Sequence, residues 1–214
     1  MITTDSAKRT ASASAVAVAS LTTVAATSVS ELVEGLKSSN NEARADAIKQ
    51  AADVGPEAIP ALCDLLQDPD LEVTRAARRA LNNIVHSAGR PGAREEAQAT
   101  AAALVKELDG NTHAEVRRET LTLLSEIGRN ACVPSVAALL SDPKWREDAR
   151  LTLQRIPGRR SLRALERAYR NAPADFRNAL ADSLVRRGVE VPNYQSDKLK
   201  PVKATNVKPG GEIG

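Results

Sequence analysis

The sequence predicts an all-α protein, a right-handed α-solenoid of about five stacked helical hairpins with extended N- and C-terminal segments. Three observations carry that expectation: an Ala-rich, aromatic-poor composition, a repeat of about 30 residues, and one buried stripe at fixed offsets in every repeat. The chain has 214 residues, 42% apolar and 27% charged, with 37 Ala but four aromatics, Trp145, Tyr169, Phe176 and Tyr194. β-Sandwiches and barrels draw on aromatic and β-branched residues, so close-packed helices are favoured instead. The apolar and charged fractions are those of an ordinary globular chain and exclude wholesale disorder. Cys63 and Cys132 are too few to frame a disulfide scaffold, and no run of about 18 apolar residues exists to span a bilayer.

The repeat begins with a residue that is usually apolar, followed by Arg, with Gly or Pro twelve positions after the first. Its instances are Ala43-Arg44 to Gly55, Val73-Thr74 without the Gly, Val116-Arg117 to Gly128, Trp145-Arg146 to Pro157, and Phe176-Arg177 to Gly188. The starts are 30, 43, 29 and 31 residues apart, so roughly 13 residues are inserted before the third unit. Four places on stand Ala47, Ala77, Thr120, Ala149 and Leu180; eight places on, Ala51, Leu81, Leu124, Leu153 and Leu184. Eleven places on come Val54, Ile84, Ile127 and Ile156, with Arg187 breaking the pattern in the last unit. On a helix turning about 100° per residue these offsets fall within about 80°, one stripe that must be buried.

A first helix precedes each of these. Ile59-Pro60, Leu62, Leu65, Leu66 and Asp68-Pro69 recur 74 positions later as Val133-Pro134, Val136, Leu139, Leu140 and Asp142-Pro143. Pro suits a first helical turn, Asp-Pro is a stop-and-cap signal, and Gly closes a helix at its far end. Each unit is therefore a helical hairpin. One hairpin cannot bury its stripe alone, so neighbours stack into a quasi-one-dimensional array.

Leu65-Leu66-Gln67-Asp68-Pro69-Asp70-Leu71-Glu72-Val73 and Glu115-Val116-Arg117-Arg118 resemble the HEAT repeat, in the short form also found in phycobilisome-lyase-like proteins. The resemblance covers residues 29–188 and departs at Thr74, where the family has Arg, and at the compressed Asp142-Pro143-Lys144-Trp145 turn. It implies an interaction scaffold, and an Arg ladder (Arg44, Arg117, Arg146, Arg177) paired with turn carboxylates such as Asp68 and Asp142. It also implies that second helices line the concave side.

The chain divides into a leader, 1–28, a repeat domain, 29–188, and a Pro/Gly/Lys-rich tail, 189–214. The leader carries Lys8-Arg9 and then no charge from Thr10 to Ser30. It reads as a flexible leader or capping helix in a cytoplasmic protein, or as a signal peptide within residues 1–26 of an exported one. The tail reads as extended or disordered.

Motifs for phosphate binding, dinucleotide binding, nucleophilic serine chemistry and zinc hydrolysis are missing from the sequence, so neither a catalytic residue, a cofactor nor a metal is expected. His86 and His113 read as solvated, Cys63 and Cys132 as core thiols, and Trp145 as core at the first repeat offset. Charge is more informative. Residues 1–143 carry 14 basic and 19 acidic side chains, whereas residues 144–214 carry 16 and 8. Arg160, Arg163, Arg167 and Arg170 share one face of a helix, a basic ridge roughly 15 Å long at about 1.5 Å per residue. The ridge reads either as the polar outer face a terminal repeat needs or as a docking site for an acidic partner. A second candidate surface is Arg75, Arg79, Asn82 and Arg118, offsets that point away from the buried stripe. The expected partner is another protein with an acidic surface. A nucleic-acid backbone comes second, and chromophore handling of the bilin-lyase type, suggested only by the repeat subtype, third.

Overall fold

A computed structural model describes residues 27–109 and 113–194; the leader to residue 26 and the tail from residue 195 lie outside the described residues. The first hairpin pairs α1 (Val29–Lys37) with α2 (Asn41–Val54). A capping box starts α1: Ser28 Oγ accepts from the Glu31 N–H while the Glu31 carboxylate accepts from the Ser28 N–H at 2.8 Å, satisfying two end donors at once. Asn40 caps α2 through the Glu42 and Ala43 amides. The two helices cross at Gly35, where a Cβ would stand 2.7 Å from that of Ala47.

A 3-10 turn, Gly55–Ala58, leads into α3 (Ile59–Leu65), and Asp70 caps α4 (Leu71–Ala88). The third hairpin is α5 (Arg94–Asp109) and α6 (Ala114–Ile127). The fourth is α7 (Val133–Ala138), extended by a 3-10 turn over Leu139–Ser141, with α8 (Arg146–Arg155). The fifth is α9 (Arg159–Asn171) with α10 (Ala174–Arg186). No strand occurs among the described residues. Second helices α2, α4, α6, α8 and α10 pack on one another in order, first helices α3, α5, α7 and α9 likewise, and the core runs between the two layers.

The inserted residues lie where the third hairpin begins. α4 has 18 residues against 14 in α2 and α6, a loop crosses from Gly89 to Ala93, and α5 has 16 residues. Arg90 braces that loop, donating to the Ser87 carbonyl at 2.7 Å and to both Glu96 carboxylate oxygens at 2.6 and 2.7 Å.

The stripe is buried in four of the five units: Val73, Ala77, Leu81 and Ile84 and their counterparts from α6 to α10, Arg187 excepted, reach 5% exposure at most. Ala43 is exposed and Val54 half-buried, contrary to the stripe. The cause is visible further along. Arg117 lies 5.3 Å over the Trp145 ring and Arg146 4.8 Å over the Phe176 ring, so in these units the Arg at the second repeat position covers the first residue of the next unit. No hairpin among the described residues precedes α1 to do the same for Ala43. This also corrects the expected ladder. Arg146 pairs with Asp175 of the following hairpin at 2.6 Å, Arg44 donates to Asn41, Arg177 to the Ala172 carbonyl, and Asp68 is taken by Lys37 at 3.4 Å. Thr74, which replaces the family Arg, donates to the Asp68 carbonyl.

Adjacent second helices are tied by one recurring polar position, five residues past each repeat start. The Ile48 carbonyl accepts from Asn83, Arg78 donates to Glu119 at 2.8 Å, the Leu121 carbonyl accepts from Thr152, and Arg150 donates to Ser183 at 2.7 Å.

Arg187, the break in the stripe, closes the C-terminal end of α8. Its Nη1 donates to the Leu153, Gln154 and Ile156 carbonyls and to Ser161 Oγ, and its Nη2 to the Gly158 carbonyl. The last four carbonyls of a helix have no partner within it, and one guanidinium here serves several. Residues 189–194 fold back on α10: the Val189 amide donates to the Leu184 carbonyl and Tyr194 Oη to Asp182. Arg187→Ala is expected to lower the unfolding free energy by about 2 kcal/mol, the scale of hydrogen bonds to a charged group. Arg170→Ala, on the exposed face of α9, stays within about 0.5 kcal/mol. Urea denaturation of the two variants, compared with the parent, checks the contrast; equal effects would refute it.

Candidate functional site

Among the described residues no group of three or more His, Cys, Asp or Glu is placed to hold a metal ion. His86 is exposed on α4 with Nε2 3.4 Å from Glu126, and His113 is exposed just before α6. Cys63 and Cys132 are free and buried. Burial, with the Glu107, Asp64 and Glu119 carboxylates adding to it, pushes the Cys63 thiol up to about 12, and burial raises Cys132 as well. Thiols need an electropositive, accessible setting to react, and neither has one. Trp145 is 3% exposed, inside the core as its repeat offset requires.

The four ridge arginines all lie on the exposed face of α9. Leu165 is buried on the other side, with Leu162 and Tyr169 packed against the core. None of the four forms an ion pair within the described residues; Arg160 Nη1 reaches the Asn130 carbonyl at a long 3.4 Å. Arg159 extends the same arc, and Glu166 is the one carboxylate on the helix. The start of α9 breaks a local rule. A helix N-terminus carries partial positive charge and favours acidic side chains, and all the other helices of eight or more residues have an acid in the first turn. α9 has none there; it opens with Gly158, which offers no side-chain cap, followed by Arg159 and Arg160.

The other predicted set is on α4 and α6, in the layer of second helices. Arg75 is engaged by Glu72 at 2.7 Å and Arg118 by Glu115 at 3.3 Å, with the Arg118 guanidinium also 6.0 Å over Trp145. Asn82 donates to the Arg78 carbonyl at 2.8 Å, and Arg79 is exposed. These residues do not meet the α9 set, which belongs to the layer of first helices.

Two concavities adjoin the ridge. A cavity of about 1170 Å³, open on one side, lies between the end of α4, the first half of α5 and the loop after α6, with Arg90, Arg94, Arg129 and Arg160 on its walls. A second, about 460 Å³, lies between α7 and α9 and includes Leu140, Ala164, Arg167 and Phe176. Sequence periodicity missed Arg90, Arg94 and Arg129, because they stand in the insertion and in a loop. The insertion itself was the available signal, since additions to a repeat collect on one face and are often where binding occurs.

Residues 3–99 match the family model for HEAT repeats. The same hairpin continues to α10. No curated protein matches the chain. Solved structures similar to it include an engineered protein, 24% identical, covering 74% of this chain and 76% of its own, with a TM-score of 0.40. Two designed armadillo repeat proteins are each 20% identical over 72% of this chain and 80% of theirs; their TM-scores are 0.38 and 0.39, and the second was solved in complex with the peptide (KR)4. No helix among the described residues is long and apolar enough to cross a membrane.

The thiol environment gives a direct test. Neither thiol is expected to react with a chromogenic disulfide reagent in the native protein at about pH 8, and both should react once the chain is unfolded. Because Cys63 stays protonated in the fold and ionises near 9.0 when released, its contribution to stability falls as pH rises from there towards 12. Rapid stoichiometric labelling of the native protein would overturn this assignment.

Proposed function

We propose that this chain is a non-catalytic protein-binding scaffold whose α9 ridge, Arg160, Arg163, Arg167 and Arg170, takes an acidic surface of a partner protein. One observation carries the reading. Five exposed arginines share the outer face of α9 with a single carboxylate, and two of them open the helix where positive charge is unfavourable. Local rules broken at a cost in stability tend to mark functional positions. A polar outer face alone would have been met by mixed charges, as on α4 and α8, where Arg75 and Arg150 sit beside Glu72 and Glu147.

Exposed charge of this kind acts through long-range steering and many weak contacts. The preformed backbone of a stacked array lowers the ordering cost of binding. A nucleic-acid backbone would meet the same charges, but single-strand binders add aromatic stacking platforms. Here Trp145 and Phe176 are buried and Tyr169 is packed against the core. Nothing among the described residues favours chromophore chemistry.

The test is fluorescence anisotropy with a short labelled poly-glutamate, against a labelled single-stranded oligonucleotide of equal charge, at about 50 mM salt. Changing all four ridge arginines to Ala is expected to weaken poly-glutamate binding about tenfold, four exposed pairs at about 0.3–0.5 kcal/mol each. Raising salt to about 300 mM should weaken the parent by a similar factor. Binding unaffected by either change, or a clear preference for the oligonucleotide, would sink the proposal.

A further inference from the structure

The residues inserted before the third hairpin build one wall of the larger cavity, and the loop after α6 and the start of α9 build the rest. Its surface is divided by chemistry. Ala97, Ala102 and Val105, which are exposed or half-buried, supply an apolar part, while Arg94, Arg129 and Arg160 supply three exposed guanidinium groups. Arg94 and Arg129 form no ion pair within the described residues, and Arg160 makes only its long contact to Asn130. Of the other charged groups there, Arg90 is locked to Glu96, and Glu126, 3.4 Å from His86 Nε2, is the one carboxylate among the lining residues, against three guanidiniums. The cavity therefore combines unmatched positive charge with an apolar surface.

We infer that this cavity anchors a short segment of an acidic partner polypeptide, an Asp or Glu side chain meeting Arg94, Arg129 and Arg160 and a neighbouring apolar side chain seated on Ala97, Ala102 and Val105. The inference rests on the reading of α9 as the contact for an acidic protein and names where that protein is gripped. The concavity, about 1170 Å³, is open to solvent rather than enclosed, so an extended segment can enter it without burying its backbone. Charge selects its source. Residues 195–214 of this chain carry four Lys against Asp197 and Glu212, so the chain's own tail is repelled. Arg160 belongs to both ridge and cavity, so an acidic segment continuing out of the cavity runs onto Arg163 and Arg167 without a break in the field.

The experiment measures anisotropy of three labelled, capped hexapeptides on the full-length chain: alternating Glu-Leu, alternating Glu-Ser, and alternating Lys-Leu. The expected order is Glu-Leu about tenfold tighter than Glu-Ser, because the apolar side chain adds burial, with Lys-Leu showing no binding. In Arg94→Ala/Arg129→Ala the Glu-Leu peptide should bind about three- to fivefold more weakly and lose its advantage over Glu-Ser. In Ala97→Phe, which fills the cavity and keeps every charge, the advantage should also vanish. Arg163→Ala/Arg170→Ala, outside the cavity, should keep it. If Arg94→Ala/Arg129→Ala binds like the parent while Arg163→Ala/Arg170→Ala does not, the cavity is overturned and the ridge reading stands. If no Arg variant alters binding of either Glu peptide, both fall. Unchanged thermal melts establish that each variant is folded.

Discussion

The whole molecule depends on one constraint: no hairpin can cover its own apolar stripe. Each unit offers four small or branched residues along a second helix, and only the neighbouring helices can take them out of water. Ala47, Ala51, Ala77 and Ala149 allow close approach but remove little apolar area each. The array makes up the difference with Leu81, Leu124, Leu153 and Leu184 at the third offset, all but closed to solvent. At Ala43, which no hairpin among the described residues precedes, the stripe lies open. Register between units is then set by polar groups. The position five residues past each start is used every time, by carbonyls in two units and guanidiniums in two others.

The repeat architecture was legible because hydrophobic burial is periodic and the period survives substitutions of one residue type for another. Ile59-Pro60 and Val133-Pro134, seventy-four residues apart, open α3 and α7 in the same way. Interactions without a period were not legible. Arg187 looked like a failure of the stripe, yet it closes α8, because a long guanidinium can reach carbonyls that no offset rule locates. The expected pairing with Asp68 and Asp142 is replaced at Arg146 by Asp175 of the next hairpin, and Arg117 and Arg146 lie over the next unit's aromatic ring, a contact that depends on how far successive hairpins rotate. The α9 ridge could be read from helical spacing alone. The cavity beside it could not, because Arg94 comes from the insertion, Arg129 from a loop and Arg160 from a helix thirty residues further on.

Electrostatically the chain is two molecules joined end to end. In the early units most arginines are matched locally, Arg75 to Glu72, Arg78 to Glu119, Arg90 to Glu96. Towards the C-terminal end acids become scarce. Two of those present are engaged: Arg146 holds the Asp175 carboxyl below its usual range by a direct hydrogen bond, and Arg186, with Tyr194, does the same to Asp182. That leaves α9 with five arginines against the single carboxylate of Glu166, which is how a surface is made attractive to an anion without a dedicated motif.

The Arg187 contacts also bear on how the array comes apart. By gripping the carbonyls of Leu153, Gln154, Ile156 and Gly158 together with Ser161, this side chain fastens the fifth hairpin to the end of the fourth on both sides of the turn into α9. Repeat arrays ordinarily fray from their ends, one unit at a time. Here the last two hairpins share these contacts and are expected to open together. The arginines of α9 stand on that joined block, so a partner that binds there meets them already in place.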